Sequence, residues 1–479
     1  MLFRSHAEMK PFAARALIAC AALAGLPCDA LAHAFGERYD LPAPLSYFMA
    51  GGAAVVALSF VAAALFARSH AQHSNAAALR IAAGPLPALL RIFARACGFF
   101  LFVVTLIAGF YGSRSPEANL APTLVWLIWW IGLSMGVATL GNVWPFFDPW
   151  RTTFEVLQAT LRALGLKQTT VSWPWPHALG IWPAVALLLF WSWLEVIYAL
   201  PSSPQRIGLA ILIWSLINIC GMFCFGREVW QRHADVFAIY FEQLGRMAPC
   251  QPRGLKTPGE APLQFSPRSQ SSDLARVGFV MAMLAAVLFD GLHGSAPWLI
   301  FQELMLRWMP KNSDMNGYYS GALGLLGVWM ALGLAYMVTC AITARWFARW
   351  STLEIATCFI PTLVPIAVGY LIAHNFSGLI IQGQNLISLI SDPLGRQWNL
   401  FGTAGRPMDI GLIDASTQWY VAWVAIVLGH TVSIWASHRQ ALAMTHVPAQ
   451  ATRMGLPLSV LMVVYTALSL LAISEPLVA

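Results

Sequence analysis

The chain has 479 residues, 58% of them hydrophobic and only 10% charged, where a soluble domain carries about a quarter charged. That balance excludes a string of soluble domains and points to a protein whose solvent is the lipid bilayer. The formal charge of +7 does not imply a nucleic-acid partner, because the Lys and Arg are dispersed between apolar runs, where they report topology.

Residues 1–32 read as a secretory signal. Arg4, Lys10 and Arg15 precede an apolar stretch at 16–26, and Ala30-Leu31-Ala32 offers a small-x-small cleavage site. Cleavage would leave one polytopic membrane domain, 33–479, beginning at His33. An N-terminal His offers amine and imidazole to copper, although any cleavage can expose a His by chance. Of the eight cysteines, Cys20 and Cys28 fall in the signal, Cys250 in a loop and the rest in or beside apolar runs. A disulfide framework is not expected.

Ten runs of membrane length follow, at about 46–67, 92–112, 122–147, 178–200, 205–225, 275–294, 321–345, 354–374, 416–437 and 455–475. Backbone groups in lipid must be satisfied internally, so each is predicted to be a helix. The expected fold is therefore all-α, a polytopic membrane helix bundle of about ten transmembrane helices. With His33 outside, the inward loops hold 18 Lys and Arg and the outward side 7. This bias predicts the bacterial inner (plasma) membrane with both mature termini periplasmic. Two inward stretches, 152–166 and 227–247, read as cytoplasmic amphipathic helices, the second setting Trp230, Phe237, Tyr240 and Phe241 against Arg232, His233 and Asp235. A Pro- and Ser-rich loop spans 248–272. The 21 Trp are expected to gather at the membrane interfaces.

Polar groups at membrane depth are expensive and mark functional candidates. The stretch 370–393 places His374, Asn375, Gln382, Gln384 and Asn385 directly after an apolar run already long enough to span. Asn375, Gln382 and Gln384 are candidate substrate-binding residues, and the same run could simply cap a helix. Asp290 and His293 stand at i and i+3, facing one way at the outer end of the sixth span. They could share a metal, or hydrogen-bond at a helix end. His430 lies inside the ninth span. Asp290, His293, His374 and His430 form a candidate divalent-metal set, closed only if the eighth helix tilts or breaks near 375–378. Glu195, inside the fourth span, is a candidate general base or a structural hydrogen-bonded Glu. Cys220 and Cys224, one turn apart, suit a soft metal or close packing. The compact stretch 142–151 reads as a proline-terminated helix with an aromatic anchor.

Residues 33–45, His-Ala-Phe-Gly-Glu-Arg-Tyr-Asp-Leu-Pro-Ala-Pro-Leu, with 51–60, 141–150 and 374–377, resemble bacterial multi-pass proteins called fenitrothion hydrolases. The resemblance covers most of the mature chain and implies hydrolysis of an organophosphorus triester with release of a nitrophenol. A bound divalent metal would acidify water and polarise the phosphoryl or thiophosphoryl group. The small apolar substrate could reach the site from the bilayer. The alternative is a transporter or metal-handling permease using the same polar residues.

Overall fold

The computed structural model describes residues 44–66, 81–83, 88–166, 169–248, 250–252, 273–310, 314 and 317–474. The expected signal, its cleavage site, His33 and most of the 248–272 loop lie outside them. In chain order the helices are α1 (Leu45–Phe66), α2 (Ala88–Tyr111), α3 (Leu120–Leu140), α4 (Pro149–Ala163), α5 (Trp182–Val196), α6 (Pro204–Phe225) and α7 (Arg227–His233). They continue as α8 (Val236–Gly245), α9 (Asp273–Leu292), α10 (Ala296–Leu306), α11 (Tyr318–Trp346), α12 (Thr352–Ser391), α13 (Ala415–Thr445) and α14 (Pro448–Ser474). Nine are long and apolar enough to cross a membrane, and α5 is a shorter apolar tenth of 15 residues. The chain is an all-α polytopic bundle. The one sheet among the described residues is a parallel pair, β1 (Ile81–Ala83) with β2 (Cys250–Pro252), in which Ile81 faces Cys250.

Large apolar side chains such as Leu58, Leu216, Leu334 and Leu428 are more than half exposed. On a water-soluble protein such a belt would aggregate; on a membrane bundle it meets acyl chains. Two spans are different. Some 78% of an 18-residue apolar stretch of α9 and 83% of one in α12 are buried, against 50% or less for the other seven spans. These two form the middle of the bundle, and they carry Asp290 and His374.

Helix α12 is 40 residues long, about 60 Å if straight, twice the hydrocarbon thickness. It is divided by short 3-10 turns at Ile360–Leu363 and Gln382–Gln384. Pro361 and Pro365 account for the first, since neither has an N–H to give. Hydroxyls from neighbouring helices serve carbonyls there: Tyr336 donates to Ala356 O and Ser433 to Thr362 O. Just beyond, α12 and α13 touch backbone to backbone. A Cβ on Gly369 would lie 2.5 Å from Ala425 O, and one on Gly429 2.6 Å from Pro365 O, so only glycine permits this approach.

The stretch 227–247 departs from the sequence expectation. It is two helices, and the second is no surface helix: Phe237, Tyr240 and Phe241 are buried. Asp235 restarts the chain as a new helix by accepting from the N–H groups of Phe237 and Ala238. Phe237 then packs within 5.7 Å of Trp129, Trp150, Trp191 and Trp214, ring centre to ring centre. Burial among aromatic rings is worth more to α8 than the interface is. The tryptophans follow suit: Trp130, Trp144, Trp150, Trp191 and Trp214 form an interior cluster rather than an interfacial belt. By contrast α4 keeps an amphipathic face, burying Pro149, Trp150 and Phe154.

Candidate functional site

Helices α9 and α12 bring a carboxylate and an imidazole together. His374 Nε2 lies 3.1 Å from Asp290 Oδ2, with side chains 28% and 30% exposed. The two were predicted as members of one site, and the structure pairs them directly. With Nε2 donating its proton to the carboxylate, Nδ1 is the basic nitrogen of His374. A carboxylate that fixes an imidazole in one tautomer and stabilises its charged form is the arrangement general bases use.

Glu195, half-buried near the end of α5, is close enough to Asp290 to feel its charge. Its Oε1 accepts from Trp130 Nε1 at 2.8 Å, a partner that nothing local to Glu195 singles out. Trp130 belongs to a run of π-helix at Thr123–Gly132. Such widened turns are rare and concentrate at functional sites. Tyr370, one turn before His374 on α12, lays its ring over the imidazole, 21° from parallel at 6.3 Å. His293 is one turn from Asp290 but turns toward aromatic rings, 5.5 Å from Phe289 and 6.0 Å from Trp298.

The remaining expected members are elsewhere. His430 is buried, its Nδ1 bonded to Ile426 O of its own helix at 2.9 Å and its ring 5.7 Å from Tyr465. The helix runs unbroken through 375–378. The turn that was to bring His374 toward His430 is therefore absent, and the interruptions fall before and after it. Among the described residues no group of three or more His, Cys, Asp or Glu is placed to hold a metal ion. The four-ligand set Asp290, His293, His374 and His430 is thus not assembled, nor does Cys220, exposed on α6, join Cys224 in one. Of the expected substrate-binding residues, Asn375 donates to Leu371 O on its own helix, and Gln382 is exposed. Gln384 exchanges two 3.0 Å bonds with the backbone of Asp409. Asn385 bonds Glu117 O. The latter part of the polar run sews loops together, which is the structural reading of it.

A second carboxylate pair went unnoticed in the sequence. Asp148 begins α4, accepting from the N–H groups of Trp150 and Arg151 and from Gln231 Nε2. Asp235 begins α8, and its Oδ2 is buried with no partner among the described residues. Burial raises the Asp148 carboxyl to about 6. Burial, reinforced by the charge of Asp148, raises that of Asp235 to about 8. Nearby, Glu155 gathers Arg95, Arg151 and Arg227 at 3.1, 3.0 and 2.6 Å. Partial burial works to raise its carboxyl, but the bond and charge of Arg151 with the charges of Arg95 and Arg227 outweigh it and hold it low.

No protein-family model, curated protein or solved structure matches the chain. Fold and site define a multi-pass helical membrane protein with a carboxylate–imidazole pair at the heart of its bundle.

Proposed function

We propose that this chain is a membrane-embedded hydrolase of neutral, apolar organophosphorus triesters, with His374 as general base and Asp290 as its partner. The observation that carries the reading is the 3.1 Å contact between them, on the two most buried spans yet still partly accessible. The resemblance to fenitrothion hydrolases supplies the substrate class. His374 Nδ1 takes a proton from water as the water oxygen bonds to phosphorus. The bond from phosphorus to the aryl oxygen breaks, and the nitrophenolate leaves with its electron pair. Asp290 stabilises the imidazolium until it returns its proton to the medium. No strong general acid is needed, because the ring delocalises the leaving charge.

The excess of inward Lys and Arg supports the bacterial inner membrane, with both mature termini and this site on the periplasmic side. Asp290 and His374, with His293 beside them, are the donors a divalent ion would meet here, and such an ion would acidify bound water. The described donors form no set of three, so the steps given belong to the side chains alone.

Transport is the second reading, and one observation favours it. The two interruptions of α12 flank the segment that holds His374, and broken helices around a polar centre are a transporter's device.

The deciding experiment is nitrophenol release from fenitrothion by washed membranes, with and without chelator, for the parent, His374→Ala and His293→Ala at matched expression. Loss in His374→Ala with retention in His293→Ala is the expected result. Activity surviving in His374→Ala overturns the site. A folded but inactive parent turns the reading to transport, measured as proton or metal flux into vesicles.

A further inference from the structure

An apolar cavity and a cluster of arginines meet at one end of the bundle. The cavity, about 470 Å³, lies between α2, α3, α6 and α8, and its wall includes Phe102, Trp129, Trp150, Trp214 and Phe237. Its volume falls in the ordinary range of small-molecule sites. No lining residue is titratable, and the one side-chain hydroxyl, that of Thr105, donates to Leu101 O of its own helix. Such a wall repays no polar group for leaving water, so the part of a ligand that enters is hydrocarbon. Leu101 and Phe147, which also line the cavity, are 42% and 37% exposed and open it to the lipid.

The arginines stand at its mouth. On α2, Arg95, Gly98, Phe102 and Thr105 share one face, and all but Arg95 line the cavity. Arg95 is one turn beyond Gly98, about 5 Å along the helix axis. On α4, Arg151 directly follows Pro149 and Trp150, which line the cavity as well. Glu155 gathers these two arginines together with Arg227 of α7. Each guanidinium has five N–H donors, and the bonds to Glu155 use one apiece. The side chains of Arg95, Arg151 and Arg227 are 36%, 25% and 29% exposed, so the remaining donors can be reached.

Charge around the cluster is positive on balance. Arg91 is exposed one turn before Arg95, and Arg232 shares Glu228 with Arg227. Five arginines thus stand among three carboxylates, Asp148, Glu155 and Glu228, an excess of two positive charges. Asp235, beyond Asp148, holds its proton at neutral pH. Planar guanidinium forks match phosphate oxygens, and basic pockets between membrane helices hold phospholipid headgroups.

We infer that this place binds one anionic phospholipid of the phosphatidylglycerol type, its phosphate on Arg95, Arg151 and Arg227 and an acyl chain in the cavity. A choline headgroup would set its own positive charge against the arginines, which is the basis for discrimination. The lipid site does not depend on the Asp290–His374 pair being hydrolytic.

The test places the full chain in phosphatidylcholine nanodiscs doped with phosphatidylglycerol or phosphatidylcholine whose acyl chains carry bromine, which quenches an indole it touches. Contact with the surrounding bilayer quenches equally for both lipids. A chain held among Trp129, Trp150 and Trp214 adds a component that saturates at low mole fraction, expected for phosphatidylglycerol alone. Arg95→Gln keeps a donor for Glu155 but loses the charge, and should weaken that component about fivefold. Ala210→Phe, which fills the cavity, should abolish it and leave the arginines in place. Glycerophosphate added from solution should not displace the lipid; displacement would make the arginines a site for a soluble phosphate and overturn the lipid assignment. Equal quenching by the two lipids, unchanged affinity in Arg95→Gln, or a saturable component surviving in Ala210→Phe would overturn it too. If Ala210→Phe does not fold, the comparison of lipids and Arg95→Gln still decide.

Discussion

The hydroxyl of Tyr370 occupies the space that a side chain on Gly291 would need. A Cβ there would overlap Tyr370 Oη and lie 3.1 Å from Cζ. Gly291 follows Asp290, and Tyr370 stacks on His374, so this one missing side chain sets how closely Asp290 and His374 approach.

Gly291→Ala should therefore displace Tyr370 and, through it, His374. Overpacking of this kind costs about 1–3 kcal/mol, read as a lower thermal midpoint in detergent. Tyr370→Phe removes the overlapping oxygen, so adding it should recover most of the loss. A double variant as unstable as Gly291→Ala alone would place the strain elsewhere.

Asp290 and Glu195 are both carboxylates of the site, but only Asp290 holds the imidazole. Asp290→Asn should lower fenitrothion hydrolysis about 10²-fold or more, the usual weight of a general-base arrangement. Glu195→Gln keeps an oxygen to accept from Trp130 Nε1 and should retain most activity. Initial rates at matched expression separate the two. The opposite order would restore Glu195 as the base, as its position in the sequence suggested.

How far the sequence could be read follows from which forces act locally. Membrane spans are legible because each apolar run must satisfy its own backbone, and nine of the ten expected spans are long helices, the fourth alone being short. Asp290 and His374 are legible as a site because ionisable residues at that depth need a partner. Their direct pairing depends on the α9–α12 approach, which Gly291 and Tyr370 permit from 79 residues apart. Nothing local announces that. His430 looked like a fourth member of the set because depth along a helix can be counted, whereas the face it turns to depends on α14 and Tyr465. The 227–247 stretch misled for a related reason: its charged and aromatic residues do alternate as at an interface, but Asp235 breaks the helix and the Trp cluster draws the second half inward.

Glu155 neutralises part of a cluster of three arginines. In Glu155→Ala, Arg95, Arg151 and Arg227 are left facing one another, and three helices lose a shared anchor. These side chains are a quarter to a third exposed, so the expected loss is modest, about 1 kcal/mol. It should shrink as salt is raised, since screening weakens the repulsion. Thermal midpoints at low and high salt check this; a loss indifferent to salt would mean that Glu155 acts through packing.

Asp235 makes stability depend on pH in the direction opposite to most carboxylates. Its carboxyl is raised to about 8 in the folded protein from 3.8, so the folded chain holds a proton that the unfolded chain releases. Between those values stability falls as pH rises, because folding must then take up a proton that the unfolded carboxylate has already released. Above about 8 the group is ionised in both states and adds no further slope. Asp235→Asn still accepts from Phe237 and Ala238 N–H and so keeps the start of α8, but carries no charge. The variant should already be the more stable at pH 5, and the gap should widen toward pH 8 to a few kcal/mol. Relief of Asp148 adds to the same trend, since its own raised carboxyl titrates beside that of Asp235. Thermal midpoints in detergent across pH 5–9 measure it. A parent whose advantage over Asp235→Asn grows with pH would show that the buried carboxylate is held as an ion by partners beyond those described.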